Sequence, residues 1–294
     1  MPDPVLLNRT IGTRPARTLS APVSLRGVGI HSGQEGAVTV NPGAPGTGVF
    51  FVLADGSVIS ADVRNVVDTS RCTVLGTAAG RISTVEHLLS AFAGLGLTDA
   101  HIAVSGPEIP ILDGSALPWV EAFRAAGITE TPATPQIFVS LTEPILVTGR
   151  NGSFIHVSPS DRLLLTVAAV FEHPLVGTQI ARFTKSESCD YARDVAPART
   201  FGFIEEVEAL QKAGLALGGS LENAVVVYWD RYSAPLRFSS ELAYHKLLDL
   251  MGDLFLAFGA PLPLALDVVA VKPSHGLNVE LASRLRDAAA EAHS

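Results

Sequence analysis

Two histidine–carboxylate pairings in this sequence have the spacing to hold a cation. In Tyr244-His245-Lys246-Leu247-Leu248-Asp249-Leu250-Met251-Gly252-Asp253-Leu254, the polar residues His245, Asp249 and Asp253 recur every four positions. On a helix they form one stripe, and the leucines and Met251 take the remaining faces. A histidine and an aspartate one turn apart can reach the same ion, and the pair suits Zn²⁺. A solvated face stiffened by a His–Asp pair is the plainer alternative. Glu86-His87 is the second source, set among mostly apolar neighbours. Adjacent helical residues point about 100° apart, so a metal-binding His87 would leave Glu86 flanking the site. His87, His245 and Asp249 then supply the three protein ligands of a catalytic zinc, with Glu86 free as general base. An ordinary exposed dipeptide is the alternative here. His275 follows an apolar strand, in a loop of the kind that often carries function. As an imidazolium it can protonate a leaving amine, with Asp253 holding its charge; a polar loop before a helix is the competing reading.

Strands are expected at residues 23–25, 37–40, 50–53, 58–63 and 101–104. Ala54-Asp55-Gly56 is read as a hairpin turn. Ser83 or Thr84 can cap a helix through Glu86 and His87 that Gly94 and Gly96 stop. Residues 119–126 read as an amphipathic helix. Residues 129–135, Thr-Glu-Thr-Pro-Ala-Thr-Pro, read as a linker. Strands then restart at 137–141, 154–157 and 163–169, with further strands at 224–227 and 264–271. Helices are expected at 203–213, 241–258 and 278–290. Strands clustering ahead of helices in each half indicate an α+β fold. The division is residues 1–17 as a flexible extension, 18–128 as a first domain, 129–135 as linker and 136–294 as a second domain.

Composition bounds the function. The chain has 294 residues, 47% hydrophobic and 17% charged, with a net charge of −8. That allows a packed core and argues against nucleic acid as partner, since phosphate binding needs a basic face. The two cysteines, Cys72 and Cys189, imply no disulfide scaffold and are read as inert thiols, in keeping with a cytoplasmic location. The richest apolar run, 254–271, is broken by Gly259, Pro261, Pro263 and Asp267, so no membrane span is expected.

Several segments together resemble the UDP-3-O-acyl-N-acetylglucosamine deacetylase family, a zinc enzyme family of lipid A synthesis. They are Gly27-Val28-Gly29-Ile30-His31-Ser32-Gly33, Ser83-Thr84-Val85-Glu86-His87-Leu88-Leu89-Ser90-Ala91 and Gly106-Pro107-Glu108-Ile109-Pro110-Ile111-Leu112-Asp113-Gly114-Ser115. In the second half they are Ala198-Arg199-Thr200-Phe201-Gly202-Phe203, Gly218 to Ala224, His245 to Leu254 and Ser274-His275-Gly276-Leu277-Asn278. The likeness runs from about residue 18 to about residue 285. It implies two similarly folded domains, each a small β-sheet packed on helices, with the active site in the cleft between them. It further implies His87, His245 and Asp249 as ligands of one Zn²⁺ per chain, Fe²⁺ being an alternative. By the same resemblance Glu86 is the base, His275 the acid supported by Asp253, and Thr200 and Lys246 steady the oxyanion. Phe171, Phe201, Phe203, Lys272 and His31 are implied substrate contacts. The substrate is a UDP-linked acylated amino sugar, handled by a monomer. The acyl channel is expected in an insert near residues 175–196, although 178–190 is polar. Val170 and Tyr244 depart from the family pattern. Val170 and the polar insert motivate the alternative of a same-fold deacylase of another N-acyl amino sugar; a non-catalytic sugar-nucleotide binding protein is the other alternative.

Overall fold

The computed structural model describes residues 7–131, 134–184, 189–262 and 265–291. One five-stranded sheet is built from β1 (Val23–Val28), β2 (Glu35–Pro42), β3 (Val49–Val52), β4 (Val58–Ser60) and β5 (Ala100–Val104). Its spatial order is β1-β2-β5-β3-β4. A second is built from β6 (Ile145–Thr148), β7 (Phe154–Pro159), β8 (Leu164–Val170), β9 (Thr178–Thr184) and β10 (Leu266–Val271). Its order, β6-β7-β10-β8-β9, repeats that of the first. In each sheet the last strand lies parallel to the third and antiparallel to the second. The α+β architecture of two similar units is therefore as the sequence indicates. The strands alternate as half-buried sheets should: in β8, Leu165, Val167 and Ala169 are buried while their neighbours are half-buried.

Six helices complete the described structure: α1 (Glu86–Leu95), α2 (Leu117–Ala126), α3 (Tyr191–Asp194), α4 (Ile204–Lys212), α5 (Glu241–Phe255) and α6 (His275–Glu291). Gly96 ends α1 in the left-handed region, and its N–H closes on the Phe92 and Ala93 carbonyls. The helix α5 lies on β8 and β9, and α6 on β6 and β7. The central contact is α1 against α5. It closes tightly because position 252 is glycine: a Cβ there would collide with the Glu86 carbonyl. Phe92 of α1 meets Phe123 of α2 and Phe255 of α5 edge to face, at centroid distances of 5.4 and 6.1 Å. Buried aromatics thus join the two halves in one core.

Four expectations change. Residues 7–14 are not a flexible extension, because Leu7–Arg14 is a strand paired along its whole length with Thr134–Leu141. The linker 129–135 is mostly strand as well, with Ile128–Glu130 pairing with Arg17–Leu19. Both pairings join segments more than a hundred residues apart, which local composition does not report. Residues 1–6 and 132–133 lie outside the described residues. The described part of 175–196 forms no channel: residues 178–184 are β9, the edge strand beside β8, and 185–188 lie outside the described residues. Finally, Thr84 does not cap α1. It sits at φ 60°, and its hydroxyl donates to Glu108 at 2.8 Å, while the cap position falls to Val85 without a side-chain bond.

Candidate metal centre

The four-residue spacing on α5 brings His245 Nε2 to 3.4 Å from Asp249 Oδ1. Across the α1–α5 contact, His87 Nε2 lies 3.8 Å from the same oxygen. All three side chains are buried, and their ligand atoms lie within 4.8 Å of one another. Asp249 Oδ1 has no hydrogen-bond donor. A buried carboxylate oxygen facing two imidazole nitrogens is costly unless a cation sits among them. The donor set also fits: metal–ligand bonds of about 2.0–2.2 Å at tetrahedral angles put ligand atoms about 3.4 Å apart. His245 Nδ1 donates to the Ala198 carbonyl at 3.1 Å, which leaves Nε2 with its lone pair free. Burial, helped by His245, pushes His87 down to about 3. Burial lowers His245 too. Both imidazoles are thus neutral near pH 7, as ligands must be. Burial works against the Asp249 carboxylate, but His245 and Lys246 outweigh it and hold the group well below the usual carboxylate range. Lys246 Nζ donates to Asp249 Oδ2 at 2.9 Å and lies 5.7 Å from the centre of the Phe201 ring.

Two further groups flank the cluster. Glu86 Oε2 accepts from the Thr73 N–H at 3.0 Å. Burial, reinforced by Asp253 and Asp249 and opposed by His275, pushes its carboxyl up to about 8. His275 Nε2 stands 3.9 Å from both Glu86 Oε1 and Asp249 Oδ2. Its Nδ1 donates to Asp253 Oδ2 at 2.9 Å. Burial disfavours the imidazolium, yet Asp253, then Asp249 and Glu86, raise it to about 9. Asp253 is fully buried and also accepts from Thr73 Oγ1 at 2.5 Å and Asn278 Nδ2 at 2.9 Å. The centre therefore pairs a carboxyl near neutrality with a charged imidazole, an arrangement suited to acid–base work.

These groups open on a cavity of about 640 Å³ lined from both halves of the chain. Thr200, Lys246, Phe171, Phe201, Phe203 and His31 all lie in its wall. Lys272 lies outside this lining, next to Pro273, with its Nζ 3.5 Å from the Asn151 carbonyl. None of the described residues of 175–196 lines the cavity, and the apolar wall comes largely from 201–228. There Phe201–Phe203 and Val225–Val227 pair in parallel around α4, and Val207, Leu210, Ala224 and Val226 face the space. Sequence reasoning missed Glu108, which is buried and accepts from the His31 and Ser32 N–H groups at 3.0 and 2.7 Å. Its signal was a lone charge in the otherwise apolar Pro107-Glu108-Ile109-Pro110. Thr73, which touches both Glu86 and Asp253, carried no signal. Cys72 is buried, and burial pushes its thiol far above the usual range, so it stays protonated. Cys189 and Cys72 are both free. His101 stacks against Phe50 at 4.5 Å. His293 lies outside the described residues.

A paired α+β fold with a buried two-histidine, one-aspartate cluster, a flanking carboxyl and a charged histidine defines a class, that of the metal-dependent hydrolases. Within it, this chain belongs to the UDP-3-O-acyl N-acetylglycosamine deacetylase family, whose family model matches residues 16–287. It is similar to proteins named UDP-3-O-acyl-N-acetylglucosamine deacetylase. That of Thermosynechococcus vestitus is 43% identical over 270 residues, covering 90% of this chain and 92% of the relative. That of Leptospira biflexa is 41% identical over 271 residues, covering 90% and 88%. That of Myxococcus xanthus is 40% identical over 274 residues, covering 92% and 85%. Among the described residues no helix is long and apolar enough to cross a membrane.

Proposed function

We propose that this protein removes the N-acetyl group from a UDP-3-O-acyl-N-acetylglucosamine, releasing acetate and the free amine, the committed step of lipid A biosynthesis. The observation that carries the reading is the meeting of His87, His245 and the donorless Asp249 Oδ1 beside Glu86 and His275. Those three residues would hold one divalent ion, read as zinc with iron as the alternative. Such an ion polarises the amide carbonyl and makes water a nucleophile near neutral pH.

The chain's own residues supply the rest. Glu86, buried at the cluster beside His275, takes the proton of the attacking water. Thr200 and Lys246 face the oxyanion, and loss of one such donor typically costs about 10²–10³ in rate. His275 stays charged through Asp253 and gives its proton to the departing amine, a poor leaving group otherwise. Phe171, Phe201, Phe203 and His31 are read as contacts to the nucleotide and sugar. The acyl chain is read into the apolar wall of 201–228. The family's two-domain division is taken as 18–128 and 136–294. One ion serves each chain, as a monomer, and the free thiols suit a cytoplasmic setting.

Metal analysis of the purified protein, paired with deacetylation of UDP-3-O-acyl-N-acetylglucosamine and of simple N-acetyl amino sugars, tests the reading. One equivalent of metal and turnover of the UDP-linked substrate are expected. Turnover confined to the simple sugars would replace the substrate, and full metal without turnover of any would remove the activity.

A further inference from the structure

None of the residues of α4 is buried, although the helix forms part of the cavity wall. Ile204, Val207 and Leu210 recur at three-residue spacing, half-buried, and turn toward the cavity. Their apolar face therefore borders the space in which the acyl chain is read. Among the described residues, one side-chain tie joins α4 to another part of the chain. It runs from Arg71 Nη1 to Glu206 Oε2, at 2.9 Å. Arg71 belongs to the loop Thr69-Ser70-Arg71, which also lines the cavity, so the tie joins the first half of the chain to the 201–228 wall. Arg71 and Lys246 are the lysines or arginines of that lining, and Lys246 is committed to Asp249.

The pair is weakly placed for stabilising the fold. Its side chains are 46% and 51% exposed, and exposed ion pairs contribute little. It is well placed to fix one wall of a binding space, because it anchors a helix with little other attachment.

We propose that Arg71 and Glu206 are a specificity-determining pair that holds α4 against the substrate's acyl chain and so sets how tightly long-chain substrates bind. The proposal rests on the deacetylase reading above. Each methylene laid against Val207 and Leu210 removes apolar surface from water. With the pair broken, α4 moves freely and that contact is lost. The contact lies away from the scissile amide and is made alike in ground and transition states, so its loss falls on KM and spares kcat.

The test compares two substrates, one with a long 3-O-acyl chain and one with a 3-O-acetyl group, using the metal-loaded enzyme. Arg71→Glu and Glu206→Arg should each raise KM for the long-chain substrate about three- to ten-fold, as the loss of an exposed pair plus like-charge repulsion allows. The KM for the acetyl substrate and both kcat values should stay within about two-fold of wild type, as loss of a uniform contact requires. Combining the two reversals should restore the long-chain KM. If reversal impairs folding, Arg71→Gln and Glu206→Gln carry the same contrast at about two- to five-fold. Equal KM losses for both substrates, unchanged KM in the single variants, or a combined variant no better than the singles would each overturn the proposal. Wild-type turnover of the long-chain substrate is read separately: its absence removes the function, while its presence with unaltered variants removes the pair alone.

Discussion

Replacing Asp253 with asparagine keeps the shape of the side chain and removes one buried charge, which isolates what that charge does to His275. Asp253 Oδ2 and His275 Nδ1 are 2.9 Å apart, and both residues are buried. With charge centres about 4 Å apart and an effective dielectric of about 20, the attraction is about 4 kcal/mol, or about three pKa units. The imidazole should then fall from about 9 to about 6, because Asp249 and Glu86 alone remain to oppose burial. The sign follows from the role. An acid must be protonated, so activity is present below its pKa and lost as pH rises through it. Wild type should hold kcat/KM up to about pH 9, and Asp253→Asn should lose it from about pH 6 upward. At pH 8 the variant would carry about 1% of its His275 as imidazolium, a rate loss of about 100-fold, while at pH 6 the loss should be only a few-fold. A pH–rate profile of acetate release reads this directly. An alkaline limb that stays near pH 9 in the variant, or an equal loss at pH 6 and pH 8, would refute the reasoning and leave Asp253 a purely geometric part.

Asp249→Ala should lose metal and turnover together, by metal analysis and assay, because it removes the oxygen on which both imidazoles converge. Glu86→Gln should retain the metal yet lose about 10²–10⁴ in kcat, the usual worth of a positioned proton acceptor; near wild-type turnover would remove Glu86 as the base. Gly252→Ala should push α1 from α5 and weaken metal affinity, with a lowered melting temperature, since the added carbon collides with the Glu86 carbonyl; unchanged affinity would show that the helices separate without moving the ligands. Cys72→Ser should leave metal content and kcat unaltered, at a cost of about 1 kcal/mol for a buried hydroxyl; a drop in metal content would mean the ligand set is larger.

The centre was legible where local spacing does the positioning. His245, Asp249 and Asp253 share a face because a helix turns every 3.6 residues, and the mostly leucine remainder says that this helix is buried. The sequence could not bring Glu86-His87 to that stripe unaided. Their meeting depends on the close α1–α5 approach at Gly252, and the family resemblance stood in for that contact. The errors have two causes. The strand Leu7–Arg14 pairs with a segment more than a hundred residues away, whereas β9 forms a hairpin with the preceding strand β8 and is hidden by its polar composition. Thr84 resembles a helix cap in composition but is drawn into the left-handed region by Glu108, a residue 24 positions away.

Since both halves follow one strand order, with a buried helix directly before the fifth strand and another after it, α1 and α5 are counterparts, as are α2 and α6. A shorter ancestor of a single such unit could pair with its twin through that helix and build a self-complementary, two-fold interface. Any polar residue on the meeting helix would then be presented twice, at one point on the axis.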